Sequence, residues 1–128
     1  MRILGHGIDI IEISRIDDML AKHEDRFLER VFTEGEQAHG AASRRRSEHL
    51  AGRFAAKEAV YKALGTGNTA GIAWTDIEVV SLPSGKPTLR LLNNALDTSM
   101  SLGITEWHLS ISHSHHSAVA SAIACGPD

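Results

Sequence analysis

A chain of 128 residues, 42% hydrophobic and 23% charged, suits one globular domain with a small core and excludes a multidomain machine. Its net charge of −3 gives no global basic excess that would point to nucleic acid, and its single cysteine, Cys125, excludes an intrachain disulfide framework and suits a reducing compartment. No apolar run approaches the roughly 18 residues of a membrane span, and MRILGHGIDIIE lacks the long apolar core of a signal peptide, so a cytoplasmic protein with no membrane contact is expected.

The stretch RILGHGIDIIE, rich in isoleucine and partly alternating, reads as a strand. His6, Ile8 and Ile10 then point one way, and Gly5, Gly7, Asp9 and Ile11 the other. Two glycines on the face of Asp9 leave space beside its carboxylate. Ser14 with Asp17 predicts a capping box, and Ile16, Met19 and Leu20 give the helix that follows an apolar stripe. A second helical segment near Asp25 to Phe32 carries Phe27, Leu28 and Val31, and Thr33 with Glu36 makes another capping box. SRRRSEHLAGRFAAKEAVYKALG holds the next helix, with Gly65 as its stop, and GTGNTAG is a loop. WTDIEVVSL and PTLRLL read as strands joined around a turn at PSGK, and NNALDTSMSLG as a short helix. WHLSISHS and SAVASAIAC alternate as two antiparallel strands, with His115 and His116 near their turn. No linker or repeat interrupts the pattern, so 1–128 is expected to be a single α+β domain, helices mostly in its first half and strands in its second.

On a helical wheel Glu58 lies between the stripe of Leu50, Phe54 and Tyr61 and a run of alanines. Alanines let another element approach closely, so an acid there is expected to be partly buried and in need of a cation or donors. Two readings are open. Lys62, one turn on, neutralises it in an i,i+4 pair worth about 0.3–0.5 kcal/mol. Alternatively, Glu58 and Asp9 share a hard divalent cation such as magnesium, which takes one or two protein carboxylates and completes its shell with water and substrate phosphate; Lys62 is then a phosphate contact. Asp9 has its own pair of readings, an edge-strand acid facing water or a core-facing acid with a partner. His113, His115 and His116 fit no zinc spacing. His113, at a strand end, suits a phosphate or ribose. SRRRSEHL is either a solvated helix start or an anion site, and Arg45 is its candidate contact. Arg15, Lys22, Arg26 and Arg30 near an exposed Met19 or Phe27 suit an acidic protein partner, although acids are interleaved among them.

Together, GHGIDIIEISRI, LAGRFAAKEAVYKALGTG, DIEV with SGKP, and LSISHS with AVASAIA resemble, in order and over nearly the whole chain, the holo-acyl-carrier-protein synthases, the small trimeric class of 4′-phosphopantetheinyl transferases. The most specific parts are G-x-D, ending at Asp9, and F-A-x-K-E-A-x-x-K, Phe54 to Lys62. The resemblance implies an antiparallel sheet packed against helices. It implies transfer of 4′-phosphopantetheine from coenzyme A to a serine of apo acyl carrier protein, releasing adenosine 3′,5′-bisphosphate, in support of fatty-acid biosynthesis. Asp9 and Glu58 match the family's magnesium ligands and, with Lys62, form the expected catalytic set. Lys62, Gly65 and Gly67 of the GTG loop, Ser84, Gly85, Lys86, Pro87 and His113 fall where the family binds coenzyme A. Arg15, Met19, Lys22, Arg26 and Phe27 fall where it docks its carrier. The family's site lies between adjacent subunits of a homotrimer, which suits a small domain that must borrow a wall. The acceptor of the serine proton stays open between Glu58 and a metal-bound water. FTEGEQAHG departs from the family pattern by placing Gly35 between two acids, and HSHH carries more histidine than expected.

Overall fold

Strand β1 (Arg2–Glu12) opens the computed structural model, which describes residues 1–65 and 71–128. Helices α1 (Ile13–Val31), α2 (Glu34–Ala41) and α3 (Arg46–Leu64) follow. A short 3-10 turn, Trp74–Asp76, leads into β2 (Ile77–Ser81) and β3 (Pro87–Leu91), then α4 (Asn93–Ser101), β4 (Glu106–His113) and β5 (Ser117–Gly126). The antiparallel order β1-β5-β4 forms one sheet, and the β2–β3 hairpin forms a second. The expected α+β class, with an antiparallel sheet against helices, is what forms.

The sheet and α3 meet through small residues. Ala118, Ala120, Ala122 and Ala124 of β5 are buried, as are Ala51, Ala55, Ala56 and Ala59 of α3. Gly5 and Gly7 carry the approach furthest. A Cβ at Gly5 would lie 2.1 Å from the Ala63 carbonyl oxygen, and one at Gly7 1.8 Å from that of Ala59. The expected space beside Asp9 is therefore corrected: the backbone of α3 fills it, and this contact sets Glu58 and Lys62 against β1.

The capping box expected at Ser14 and Asp17 does not form. The helix begins at Ile13, whose N–H donates to the His116 carbonyl at 2.8 Å, while Asp17 accepts a bond from the Ser47 hydroxyl. The two helical segments read from the sequence are the limbs of α1, kinked at His23 (φ −145°, ψ 40°). The second box does form: Thr33 Oγ1 accepts from the Glu36 N–H at 3.2 Å, and Glu36 Oε1 accepts from the Thr33 N–H at 2.9 Å. Gly65 ends α3 in the left-handed region at φ 71°, which a residue without Cβ adopts freely.

A buried ion pair ties α2 and the β2–β3 hairpin to α3. Lys57 Nζ lies 2.6 Å from Glu36 Oε1, both side chains fully buried, and donates to the Trp74 and Ile77 carbonyls at 3.0 and 2.5 Å. Glu36 Oε2 accepts from the Val79 N–H at 2.8 Å. Burial pulls the Lys57 ammonium below its ordinary pKa, and Glu36 opposes that pull. The first lysine of the F-A-x-K-E-A-x-x-K motif is thus a structural cation, saturated by its partners, and Lys62 is left as the solvent-facing one.

Candidate functional site

Asp9, Glu58 and Lys62 come together where β1 crosses α3. Lys62 Nζ donates to Asp9 Oδ1 at 3.1 Å and to the Ile8 carbonyl at 3.0 Å, its side chain half-exposed and that of Asp9 largely buried. Asp9 therefore takes the core-facing reading with a partner. Glu58 has no hydrogen bond or ion pair among the described residues. Burial, and then the negative charge of Asp9, raise its carboxyl above the usual carboxylate range, with Lys62 partly offsetting them. The simple i,i+4 reading is corrected: Lys62 bonds to Asp9 across the sheet–helix contact and leaves Glu58 underneutralised. Two hard oxygen ligands with one charge to spare match the donor set that magnesium prefers, one or two carboxylates with the other positions open. Among the described residues, no cluster of three or more histidines, cysteines and acids competes as a metal site.

A second cluster lies where the start of α3 meets the end of β4. Glu48 Oε2 lies 3.6 Å from Arg45 Nη1 and 3.8 Å from His113 Nδ1. It is buried without a hydrogen bond, beside a cavity of about 100 Å³ lined by Arg45, Glu48, His49 and His113. Burial, together with Arg53, His39 and His113, pulls the His49 imidazole below its ordinary pKa, and Glu48 opposes them. The fold thus brings Arg45 and His113, well separated in the sequence, to the same carboxylate. Glu48 and His49 were not chosen; their signal was their spacing of three and four residues from Arg45. Glu48 and Glu58 are about 15 Å apart along α3 at the usual rise per residue. The acid pair and this cluster around Glu48 are therefore distinct patches of one chain.

The turn from Ser84 to Lys86 is exposed at the hairpin tip, with Pro87 opening β3 and Gly85 at φ 88°. Gly65 caps α3, and Gly67 lies outside the described residues. His115 and His116 are exposed turn residues, as expected. On α1, Arg15, Met19, Lys22 and Arg26 are exposed. Phe27 is not: it is 5% exposed and packs edge-on against Phe32, ring centroids 5.5 Å apart, because the second limb of α1 turns it into the core. That correction leaves Phe27 in the floor of a groove of about 270 Å³, with Met19, Phe54 and Trp74 beside it and Arg26 and Arg30 at its rim.

The model of the 4′-phosphopantetheinyl transferase superfamily matches residues 5–121. A holo-[acyl-carrier-protein] synthase of Shewanella amazonensis is 46% identical over 125 residues, covering 98% of this chain and 100% of that protein. One of Koribacter versatilis is 44% identical over 121 residues, covering 94% and 97%. Among solved structures, a holo-(acyl-carrier-protein) synthase of Bacillus anthracis in complex with CoA (3′,5′-ADP) superposes with a TM-score of 0.80 at 42% identity, covering 98% of each chain. The holo-ACP-synthase of Plasmodium yoelii gives a TM-score of 0.86 at 30% identity, covering 99% and 98%.

Proposed function

We infer the reaction from one premise: the chain belongs to the 4′-phosphopantetheinyl transferase superfamily, among the holo-[acyl-carrier-protein] synthases. It transfers 4′-phosphopantetheine from coenzyme A to a serine of apo acyl carrier protein. The observation that carries this reading is the convergence of Asp9, Glu58 and Lys62, all inside the matched region, on one face of α3.

The serine oxygen forms a bond to the β-phosphorus of the coenzyme's pyrophosphate. The bond from that phosphorus to the bridging oxygen breaks, and adenosine 3′,5′-bisphosphate leaves with the electron pair. Negative charge builds on the phosphoryl oxygens and the leaving group. Lys62, aimed by its bonds to Asp9 and the Ile8 carbonyl, sets a cation beside that charge. Asp9 and Glu58 would hold magnesium, which when bound supplies further charge neutralisation at the pyrophosphate. Glu58 and water are the two candidate acceptors of the serine proton. Arg45, His113, Gly65, Gly67 and the Ser84–Pro87 turn are proposed coenzyme contacts. Arg15, Met19, Lys22 and Arg26 are proposed carrier contacts, with Phe27 as the buried floor beneath them.

The proposed unit is the single domain 1–128, acting as a homotrimer in the cytoplasm and serving fatty-acid biosynthesis. The trimer is supported by the outer face of the three-stranded sheet, where Ile8 and Ile10 are 58% and 68% exposed. A cytoplasmic setting is consistent with a lone buried thiol, Cys125, and with the described residues, in which no helix is long and apolar enough to cross a membrane. The test is to incubate the protein with apo carrier, coenzyme A and magnesium and weigh the carrier. A gain of one phosphopantetheine is expected. An unchanged carrier mass overturns the reading, and release of phosphopantetheine into water without carrier would make the protein a hydrolase instead.

A further inference from the structure

Glu48 is the third residue of α3, in the first turn, where the unpaired N–H groups of a helix favour an acid. The ordinary task of an acid at this position is to close a capping box, accepting the backbone N–H of the residue before the helix. Here that residue is Arg45, and its N–H already donates to Ser43 Oγ at 3.0 Å. Glu48 Oε2 is left buried with no hydrogen bond among the described residues, and a buried acceptor without a donor is costly. Capping therefore does not account for this carboxylate.

Glu48 faces a donor from each of two elements. Arg45 Nη1, just ahead of α3, lies 3.6 Å from Oε2, and His113 Nδ1, at the end of β4, lies 3.8 Å from the same oxygen. Both of these side chains are exposed, and among the described residues neither makes another ion pair, so the carboxylate beneath them is the fixed point they share. His49 also lines the cavity of about 100 Å³ between them. It does not compete for the carboxylate: it packs edge-on against His39, ring centroids 5.0 Å apart, and burial pulls its imidazole below the ordinary pKa. A carboxylate has no hydrogen to give, so the ring nitrogen of His113 that faces it is the one that carries a proton. Nε2, across the ring, is left for a ligand.

We propose that Glu48 is a positioning residue for the coenzyme, holding the Arg45 guanidinium and the His113 ring in one orientation so that both meet the bound molecule already ordered. The role rests on the reading of Arg45 and His113 as coenzyme contacts. Ordering a long exposed side chain on binding weakens affinity, and an anchor already in place removes that cost. A carboxylate without such a role would only repel a ligand that carries several phosphate charges. The two readings therefore differ in sign.

Glu48→Gln keeps the size of the side chain and removes its charge. Calorimetric titration with coenzyme A, magnesium present, should show roughly tenfold weaker binding, since the charged anchor of two donors is lost. In the carrier assay the KM for coenzyme A should rise by a similar factor while kcat falls far less, the pattern of a lost ground-state contact. With Arg45 and His113 both changed to alanine, Glu48→Gln should alter the affinity less than about twofold, because nothing remains for Glu48 to hold. Without ligand, nitrogen-15 spectra of the His113 ring, assigned by its loss in His113→Ala, should show Nδ1 protonated in the wild type and a changed ring signal in Glu48→Gln. Equal or tighter coenzyme binding in Glu48→Gln overturns the role. So does an effect undiminished in the alanine background, or a ring signal that Glu48→Gln leaves unmoved. A wild type that neither binds coenzyme A nor modifies the carrier defeats the transferase reading and the positioning role with it. A wild type that does both, beside a Glu48→Gln that binds at least as tightly, defeats the positioning role alone.

Discussion

Glu58 is a carboxylate held where its charge costs free energy. Its folded pKa is raised, so between the ordinary carboxylate range and its raised value the native state keeps a proton that the unfolded chain has released. The sign follows: this group carries no penalty below the ordinary range, and stability falls as pH rises through that window. Glu58→Gln removes the penalty. It should therefore raise the midpoint of thermal unfolding at neutral pH, by roughly 1–4 °C, while abolishing transfer to the carrier. Urea unfolding of both proteins from pH 4 to 8 should show the gap opening with pH, and a gap independent of pH refutes the cause assigned here. Magnesium should stabilise the wild type and lose that effect in Glu58→Gln, since only a bound ion adds stability by mass action. Calorimetry showing equal stabilisation of both would remove Glu58 from the metal role. The suspicious setting of Glu58 was legible in its helical spacing. The partner of Lys62 was not, because a local ion pair and one made across 53 residues of chain leave the same sequence pattern.

The contact between β1 and α3 puts that chemistry in place, and two glycines in different settings test it. Gly7→Ala would place a methyl 1.8 Å from the Ala59 carbonyl oxygen, backbone against backbone, where no rotamer change relieves the clash. It should cost about 3 kcal/mol or more and separate Asp9 from Glu58. Gly65→Ala meets nothing within 4 Å among the described residues and strains the left-handed cap at φ 71°, so about 1 kcal/mol is expected. Equal losses in denaturant unfolding would mean that close packing is not what the Gly7 position requires. Alternation in β1 correctly gave the two faces of the strand, yet it gave the glycines the opposite purpose, because only the fold decides whether space beside a glycine is left open or filled. The missed start of α1 has a similar origin: the His116 carbonyl, distant in sequence, took the N–H that marks the helix start. The exposed outer side of α1 is the proposed carrier surface. If Arg15 and Arg26 steer an acidic carrier, reversing both to glutamate should lower kcat/KM at least tenfold at low salt and flatten its salt dependence. An unchanged salt profile removes this surface from docking.

The strand register exposes a further surface. On the outer face of the sheet, Ile10, Val119 and Ser112 lie in one cross-strand row, and Ile8, Ser121 and Ser110 in the next. Burying an isoleucine fully is worth about 1.5–3 kcal/mol, so a second copy covering Ile8 and Ile10 recovers a substantial free energy. Ile10→Glu should therefore yield a monomer by light scattering. Two patches about 15 Å apart on α3, the acids near its end and Arg45 with His113 near its start, suggest how such an assembly would work. Each site would take its acids from one subunit and its second cluster from the neighbour. Complementation tests this without relying on a damaged fold. Asp9→Ala and His113→Ala, each impaired alone, are unfolded together and refolded as a mixture. Random assembly pairs an intact acid pair with a neighbour's intact His113 at about one interface in four, so about a quarter of the wild-type rate should return. If every site is built within a single chain, the mixture carries no intact site and recovers nothing beyond the average of its two components.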